Sequence, residues 1–359
     1  MSLHFYPLKV KAIKKETSDC VSIVFDVPQN LQSNFKYTQG QNLTLRKTIN
    51  GEDVRRSYSI CTAPHENEVK VAVKKVDGGL FSTFANNELQ IGDILDVMPP
   101  TGKFYTALNI NNKKNYLAIA AGSGITPILG IIKATLKTEP QSNFTLVYGN
   151  KNQQSIVFFE ELEALKNMYI NRFVFINILS RERLDTALNV GRINKEKLKE
   201  LGKLIKYENI DEAFICGPEE MIFCSKDFLE EKGIDKKKIH FELFGTVRNK
   251  LAIDKEQLTK EKTTVAKSNI TIKLDGRSFD FTLSYNDENI LDAALKQGAD
   301  LPYACKGGMC CTCKAKLLQG EVTMDVSWGL EQEEIEQGFI LTCQSHPKTE
   351  KVVVDFDVK

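Results

Sequence analysis

Four cysteines near the C-terminal end of the chain have the types and the spacing of a metal centre. Cys305, Cys310 and Cys313 follow the pattern C-x4-C-x2-C, and Cys343 stands thirty residues after Cys313. This is the spacing of plant-type [2Fe–2S] centres, in which soft thiolates donate charge to iron. Glycines in the same loop let backbone N–H groups approach the sulfurs. The spacing therefore predicts a [2Fe–2S] cluster with these four cysteines as its ligands.

Zinc is the alternative occupant of a four-cysteine site. Structural zinc sites usually repeat C-x2-C pairs as two knuckles, whereas the first interval here is four residues on a single loop. The spacing therefore favours the cluster over zinc. Cys311 lies inside the loop but off the spacing, so we interpret it as a small packing residue rather than a ligand.

Two short motifs in the first third of the chain could hold a flavin. Arg56-Ser57-Tyr58-Ser59 ends a predicted strand, where an arginine can neutralise phosphate and a tyrosine can stack on a flat ring. The segment from Gly78 to Thr83 precedes a short helical stretch, whose free N–H groups would suit a pyrophosphate. Each motif is weak by itself: the glycine pair is also typical of an ordinary turn, and Tyr58 alone is more typical of a half-buried strand aromatic than of a flavin contact.

A third pair of motifs indicates a dinucleotide site. The segment Gly122–Pro127 follows a predicted strand and opens a predicted helix, as a dinucleotide phosphate turn does. It departs from G-x-G-x-x-G at Pro127, but proline fits the first turn of a helix. Cys216-Gly217-Pro218 ends another predicted strand, at the edge where open α/β sheets bind ligands.

The elements that must position these motifs fall into four zones. Residues 1–110 contain short strand-like runs separated by turn residues, which predicts an antiparallel β-barrel for the flavin. Residues 111–245 alternate strands and helices, which predicts a mostly parallel α/β nucleotide domain. Residues 246–268 are rich in Lys and Glu and suggest a linker. Residues 269–359 combine strands, one helix and the cysteine loop, so we expect an α+β domain of the β-grasp type.

The composition excludes several other classes of protein. The 359 residues include 48 basic and 47 acidic side chains, so no net field favours nucleic acid or an anionic membrane. No run of some 18 apolar residues could span a bilayer, and the first residues lack the apolar stretch of a signal peptide. Nine cysteines in a chain without an export signal fit a reducing compartment with one cysteine-ligated centre. We therefore expect a cytoplasmic protein.

The order of the motifs R-x-Y-S, GG-x-x-S, G-x-G-x-x-P and C-G-P resembles the ferredoxin–NADP reductase superfamily. With a ferredoxin domain behind them, the whole chain is similar to oxygenase reductases, above all those that serve ring epoxidation of phenylacetyl-CoA. The resemblance covers essentially the full length. It implies a reductase that passes electrons from NADPH through FAD and the cluster to a protein partner, an oxygenase component.

Two other functions stay open at this point. One is a reductase for another acceptor, such as a different diiron or Rieske oxygenase or a hybrid-cluster protein. The other is a redox carrier or sensor without enzymatic activity, against which the intact glycine turn and the C-G-P motif argue.

The resemblance also implies roles for individual residues. Arg56 would hold a flavin phosphate, Tyr58 would stack on the isoalloxazine, and Ser59 would lie near its reactive nitrogen. Cys216 would lie near the nicotinamide and shape hydride transfer. The remaining implied cofactor contacts are Gly79 and Ser82 at the pyrophosphate, and Gly122, Gly124, Thr126, Pro127, Gly217 and Pro218 at the dinucleotide.

Two further segments bear on catalysis and on nucleotide preference. Glu242 matches the acidic residue of the family's E-x-aromatic end, but the chain continues beyond it here, which leaves its catalytic role open. In relatives that use NADPH, a Ser-Arg pair at the position of Ser180 and Arg181 binds the 2′-phosphate. No acidic residue in 148–151 would accept ribose hydroxyls. Both features favour NADPH, with NADH as the alternative.

Overall fold

The computed structural model describes residues 4–182, 186–244, 267–285 and 287–358. Residues 4–244 form one compact unit, and the C-terminal residues belong to a second. The predicted linker, 246–268, lies outside the described residues except for its last two, which are part of the first strand of the second unit. Within the described ranges, no helix is long and apolar enough to cross a membrane.

The first part of the N-terminal unit is the predicted antiparallel barrel. Its six strands neighbour one another in the order β4-β3-β6-β1-β2-β5, and a bridge between Ile60 and Val71 joins the two ends. Alternate apolar side chains such as Ile23 and Phe25 fill its interior. The elements are β1 (Tyr6–Thr17), β2 (Cys20–Asp26), β3 (Asn42–Ile49), β4 (Glu52–Ser59), β5 (Val69–Lys74), α1 (Leu80–Asn87) and β6 (Ile94–Val97).

The second part of this unit is the predicted parallel α/β sheet. Its strands run in the order β11-β10-β7-β8-β9 and all pair in parallel. Because the order reverses between β7 and β10, their carboxyl ends form the crevice where such sheets bind ligands. The elements are β7 (Asn115–Ala121), α2 (Ile125–Thr138), β8 (Asn143–Asn150), α3 (Phe159–Met168), β9 (Phe173–Leu179), α4 (Lys195–Leu201), β10 (Glu212–Gly217), α5 (Glu219–Glu231) and β11 (Ile239–Leu243).

A buried lysine joins the barrel to the parallel sheet. Lys133 on α2 is 6% exposed, and its ammonium pairs with Glu66 of the barrel at 3.0 Å and with Glu161 on α3. Close packing adds to this contact, since a Cβ on Gly130 would lie 2.7 Å from the carbonyl oxygen of Thr62. These contacts fix the end of β4 relative to the sheet.

A second ion cluster ties the amino ends of β7, β10 and β11 together. Glu212 is 7% exposed and accepts from Lys114 at 2.5 Å and from His240 at 3.3 Å. Although burial alone would raise it, hydrogen bonds from these partners lower the pKa of Glu212 to about 2. The folded state therefore favours the charged carboxylate.

Glu212→Gln is expected to lower the free energy of unfolding at pH 7 by about 2 kcal/mol. The folded pKa lies below the unfolded one, so this stabilisation is present above about pH 4.3 and disappears as the pH falls towards 2. Urea unfolding of both proteins at pH 7 and pH 3 checks this. If the wild type and the variant differed in free energy of unfolding by the same amount at both pH values, the charged form of Glu212 would not be the source of the stabilisation.

The C-terminal unit has the predicted β-grasp architecture. Its main sheet has the order β13-β12-β18-β14-β16, with β12 and β18 parallel, and a two-stranded sheet pairs β15 with β17. Leu291 and Ala294 of its first helix are buried against the sheet. The elements are β12 (Lys267–Leu274), β13 (Arg277–Ser284), α6 (Ile290–Lys296), β14 (Lys314–Gln319), β15 (Val322–Met324), α7 (Gln332–Glu336), β16 (Phe339–Leu341), β17 (Ser345–Pro347) and β18 (Lys351–Asp355).

Candidate flavin, nucleotide and cluster sites

The last residues of β4 present three different environments. Arg56 is exposed and donates to the carbonyl oxygen of its neighbour Arg55 at 2.7 Å. Tyr58 is half-buried, with its ring centroid 5.5 Å from that of Phe81 on α1, and burial raises the pKa of its phenol. Ser59 is buried. A flat ring could therefore lie against Tyr58, with Arg56 near solvent for a phosphate.

The end of β4 meets the carboxyl ends of β10 and β11. Ser59 Oγ donates to Glu242 Oε2 at 3.4 Å, although the two residues are 183 positions apart. Cys216 is the register partner of Glu242 on the adjacent strand, so both side chains are on the same face of the sheet. The structure thus brings together three of the residues that the sequence proposed for catalysis.

Burial sets the charge state of this group. Desolvation raises the pKa of Glu242 to about 8, although the hydrogen bond from Ser59 opposes the shift. Burial, with the nearby Glu242, also holds the pKa of the Cys216 thiol well above its usual value. The thiol therefore stays neutral and is not activated as a nucleophile. The raised pKa of Glu242 favours its protonated carboxyl group near pH 7.

The glycine turn before α1 is held in place by a serine side chain in the first turn of that helix. Ser82 Oγ accepts from the N–H of Val76 at 3.1 Å and donates to the carbonyl oxygen of Gly79 at 3.2 Å. Gly78 has φ +72°, a conformation that favours glycine. The serine that was expected to contact the pyrophosphate thus shapes the turn, which leaves the first N–H groups of α1 as donors.

The phosphate turn after β7 packs directly on β10. Gly122 has φ +54°, and its carbonyl oxygen accepts from the hydroxyl of Tyr148 at 2.8 Å. A Cβ on Gly124 would lie 2.1 Å from the carbonyl oxygen of Cys216, so only glycine fits there. Thr126 is buried and donates to the carbonyl oxygen of Ser123 at 3.0 Å. Pro127 is buried in the first turn of α2.

A cavity of about 790 Å³ opens at the carboxyl edge of the parallel sheet. Gly122 and Ser123 line one side of it, and Gly217 and Pro218 line another. Gly124 and Thr126 lie behind this wall, with Gly124 against β10. A volume of this size suits a nucleotide, and the two turns place backbone N–H groups at its wall.

Cationic side chains surround the far end of the cavity. Ser180 and Arg181 line it, and their backbone N–H groups donate to the carbonyl oxygens of Asn150 at 2.9 Å and of Lys151 at 2.8 Å. Lys151 and Arg192 also line the cavity, and Arg181, Lys151 and Arg192 are all exposed. An anionic group on the nucleotide would therefore meet several positive charges.

Sequence reasoning missed Arg192 and Asn150 as wall residues. Arg192 follows a 3-10 turn and Gly191, a stretch without any motif. Asn150 ends β8, and its side-chain amide nitrogen is buried without a hydrogen-bond partner among the described residues. The end of β8 is itself a signal, because the carboxyl ends of parallel strands meet at the binding edge.

The four predicted cluster ligands form two pairs of thiols. Cys305 and Cys310 lie within hydrogen-bonding reach of one another, and so do Cys313 and Cys343. Hydrogen bonds from Cys310 and from the backbone N–H of Gly307 lower the pKa of the Cys305 thiol. Two pairs of sulfur ligands fit a cluster with two irons, which has four cysteine ligands.

The loop around these sulfurs is shaped for a close approach. Gly307 N donates to Cys305 Sγ at 3.3 Å, and Gly308 has φ +75°, where a Cβ would lie 2.5 Å from Val326. Cys311 turns away from this arrangement, and its thiol donates to the carbonyl oxygen of Gly329. That contact agrees with a packing role for Cys311.

Three family models match the chain in the order that the motifs predict. Residues 7–105 match the oxidoreductase FAD-binding domain, and residues 118–227 match the oxidoreductase NAD-binding domain. Residues 272–348 match the 2Fe-2S iron-sulfur cluster binding domain. The predicted FAD, nicotinamide nucleotide and [2Fe–2S] cofactors are therefore confirmed at the level of domains.

Known proteins resemble this chain over nearly its whole length and over nearly the whole of their own. One component of the 1,2-phenylacetyl-CoA epoxidase of Escherichia coli K12 is 46% identical over 99% of this chain and 98% of its own. The ferredoxin reductase component of the 3-ketosteroid-9-alpha-monooxygenase of Rhodococcus rhodochrous is 32% identical over 97% and 96%. Phthalate dioxygenase reductase has the same fold, with a TM-score of 0.60, 23% identity and 98% of each chain covered. The chain therefore belongs to the family of oxygenase reductases that join an FAD-binding domain, an NAD-binding domain and a C-terminal 2Fe-2S cluster domain.

Proposed function

We propose that this chain takes electrons from NADPH and delivers them to an oxygenase that epoxidises the ring of phenylacetyl-CoA. When bound, the cofactors supply the redox chemistry: hydride transfer from nicotinamide to FAD, then single-electron transfer through the [2Fe–2S] cluster. The observation that carries the reductase activity is the meeting of Ser59, Cys216 and Glu242, where the barrel joins the switch point of the parallel sheet.

The residues of the chain position the reactants and control one proton. Tyr58 provides a flat surface for the flavin ring, and Arg56 provides a charge for its phosphate. The Cys216 thiol, whose pKa burial holds well above its usual value, would remain neutral beside a bound nicotinamide and would shape its position rather than react with it. Desolvation favours the protonated carboxyl group of Glu242, to which the Ser59 hydroxyl donates at 3.4 Å. The site thus orients hydride transfer and keeps a negative charge away from it near pH 7.

The cations around the cavity support the preference for NADPH. Arg181 carries a planar guanidinium that can bind a 2′-phosphate through two parallel hydrogen bonds, and Lys151 and Arg192 add positive charge. An NADH site usually needs a carboxylate at the end of β8 to accept the ribose hydroxyls, and this chain has Asn150 and Lys151 there. We propose the cytoplasm as the location of this activity, because NADPH supply and reduced cysteines are both expected there.

The 46% identity to the Escherichia coli epoxidase component, over nearly the whole of both chains, supports phenylacetyl-CoA epoxidase as the electron acceptor. Relatives at 32% and 30% identity are reductase components for 3-ketosteroid and glycine betaine monooxygenases, so another oxygenase is the second candidate.

Stopped-flow mixing with NADPH tests the reductase activity: flavin absorbance should bleach before the cluster is reduced. Purified phenylacetyl-CoA epoxidase should then turn over with this chain as its electron donor. Turnover only with another oxygenase would favour the second candidate.

Glu242→Gln is expected to remove a pH dependence from flavin reduction. In the wild type, the rate should fall about tenfold as the pH rises through about 8, because the ionised carboxylate opposes the negative charge that arrives with the hydride. Stopped-flow traces between pH 6 and 9.5 measure this step. Ser59→Ala should shift the step to higher pH, because the hydrogen bond from Ser59 favours the charged form. A step that persists near pH 8 in the glutamine variant would contradict the assignment.

A further inference from the structure

Gln344 is a buried polar residue at the cluster for which neither the motifs nor the proposed function supply a role. It directly follows Cys343, in the 3-10 turn Thr342–Gln344 between β16 and β17. Its side chain is 6% exposed. A buried amide lowers stability unless its polar atoms are used, so its contacts indicate what it does.

The amide nitrogen of Gln344 connects two segments that are distant in the sequence. Nε2 donates to the carbonyl oxygen of Lys306 at 3.0 Å and to that of Cys343 at 2.9 Å. Lys306 directly follows Cys305 and has φ +49°, and its ammonium pairs with Asp292 on α6 at 2.6 Å. One side chain therefore holds the start of the cysteine loop against the segment that carries the last ligand.

The same nitrogen faces a ligand sulfur. Gln344 Nε2 lies 3.7 Å from Cys343 Sγ, within the range of an N–H···S hydrogen bond. Because the amide has two hydrogens for three acceptors, one N–H is shared between two of them as a three-centre bond. Because Nε2 also faces two carbonyl oxygens, only the NH2 end of the amide can occupy this position. Its Oε1 is buried without a hydrogen-bond partner in the described part of the chain. The contacts of the donor end therefore set the orientation of the amide.

A donor at this sulfur has a defined electrostatic consequence. Reduction adds one negative charge to the cluster, and hydrogen bonds to its sulfurs stabilise that charge. At Cys305 the corresponding donor is the backbone N–H of Gly307, which any residue type except proline would supply. At Cys343 the donor belongs to a side chain, so a substitution can remove it.

We propose that Gln344 is a positioning residue of the cluster, whose amide joins the Lys306 segment to Cys343 and donates to the Cys343 sulfur so as to raise the reduction potential. The proposal rests on the cluster site and the electron path proposed above. It adds a specific side chain that sets how readily the cluster accepts an electron from the flavin.

The test is the midpoint potential of the cluster in the full-length holoprotein, measured by EPR during a reductive titration. Gln344→Glu keeps the shape, removes the donor and places carboxyl oxygens at the sulfur. We expect about a tenfold fall in the equilibrium constant for reduction, a shift of about 59 mV to more negative potential for one electron. Gln344→Leu should shift the potential in the same direction by a smaller amount.

Two control variants separate this role from simple packing. Thr342→Val alters the same buried turn and removes a hydrogen bond to the carbonyl oxygen of Cys313, not to a sulfur, so its potential should equal that of the wild type. Gln319→Glu makes the same charge change at an exposed position on β14. Its potential should also stay close to that of the wild type.

Each outcome bears on the proposal. Wild-type potentials in both Gln344 variants would overturn it. Loss of iron from both Gln344 variants, with iron retained by Thr342→Val, would support the joining of the two segments. Iron loss from Thr342→Val to the same extent would instead show that the turn tolerates no change, and would overturn a specific role for the amide. Flavin bleaching by NADPH should be unchanged in every variant, and its absence from the wild type would be a failure of the proposed function alone.

Discussion

Cys313→Ser is expected to abolish electron delivery to a protein acceptor while flavin reduction by NADPH continues at the wild-type rate. A serine hydroxyl is a poor ligand for the iron that the Cys313 and Cys343 pair would hold. Loss of a residue that only hydrogen-bonds to a metal ligand already lowers metal affinity or activity about 10- to 100-fold. We therefore expect the loss of a ligand itself to reduce acceptor turnover by more than about 100-fold. The iron content and stopped-flow bleaching of the flavin measure the two halves of this prediction.

Cys311→Ser is the matched control for this experiment. The Cys311 thiol donates to the carbonyl oxygen of Gly329, a bond that a serine hydroxyl can also make, and the residue is off the ligand spacing. Its cluster and its acceptor turnover should therefore stay close to those of the wild type. Cluster loss in Cys311→Ser, together with retention in Cys313→Ser, would show that the ligand register is wrong by a residue or more.

Arg181→Ala should lower kcat/KM for NADPH about 100-fold and leave kcat/KM for NADH nearly unchanged. A hydrogen bond to a charged group contributes about 1.5–3 kcal/mol, and the 2′-phosphate that Arg181 would hold is absent from NADH. Steady-state reduction of ferricyanide with each nucleotide measures the two constants. The ratio of the two constants is the decisive quantity, because a general loss of stability would lower both.

Lys166→Ala serves as the control for charge, because this lysine is on α3 of the same sheet domain and does not line the cavity. It should leave the ratio between the two nucleotides unchanged. Arg192→Ala should reduce the preference for NADPH in the same direction as Arg181→Ala. Equal losses with NADPH and NADH in Arg181→Ala would contradict recognition of the 2′-phosphate.

Local patterns were enough to predict the three domain folds. The short strand-like runs at 22–27 and 42–45 overlap β2 and β3 of the barrel, and the apolar run at 116–121 lies within β7. The segment Gly122–Pro127 follows β7, and its last three residues form the first turn of α2, as predicted. These features were predictable because period, turn residues and cysteine spacing act over a few residues, within the reach of a sequence motif.

Other features of the candidate sites depend on contacts between distant parts of the chain. Ser82 and Thr126 fit the motifs by position, but hydrogen bonds within their own turns use their hydroxyl groups. Arg192 reaches the cavity wall only because its loop returns to the carboxyl edge of the sheet. Such placements depend on the strand order and on which loops meet there, and no local pattern records them.

The sequence by itself determined the types of cofactor, the order of the domains and the spacing of the four cluster cysteines, because these depend on residue type and on short intervals. Only the tertiary structure brought Ser59 to within 3.4 Å of Glu242, made Cys216 the register partner of Glu242 and turned the Gln344 amide towards Cys343. The raised pKa of Glu242 likewise follows from its desolvation at the junction of the barrel and the sheet. Burial and long-range register arise when the whole chain packs, and for that reason they decide the chemistry of residues that the motifs can only name.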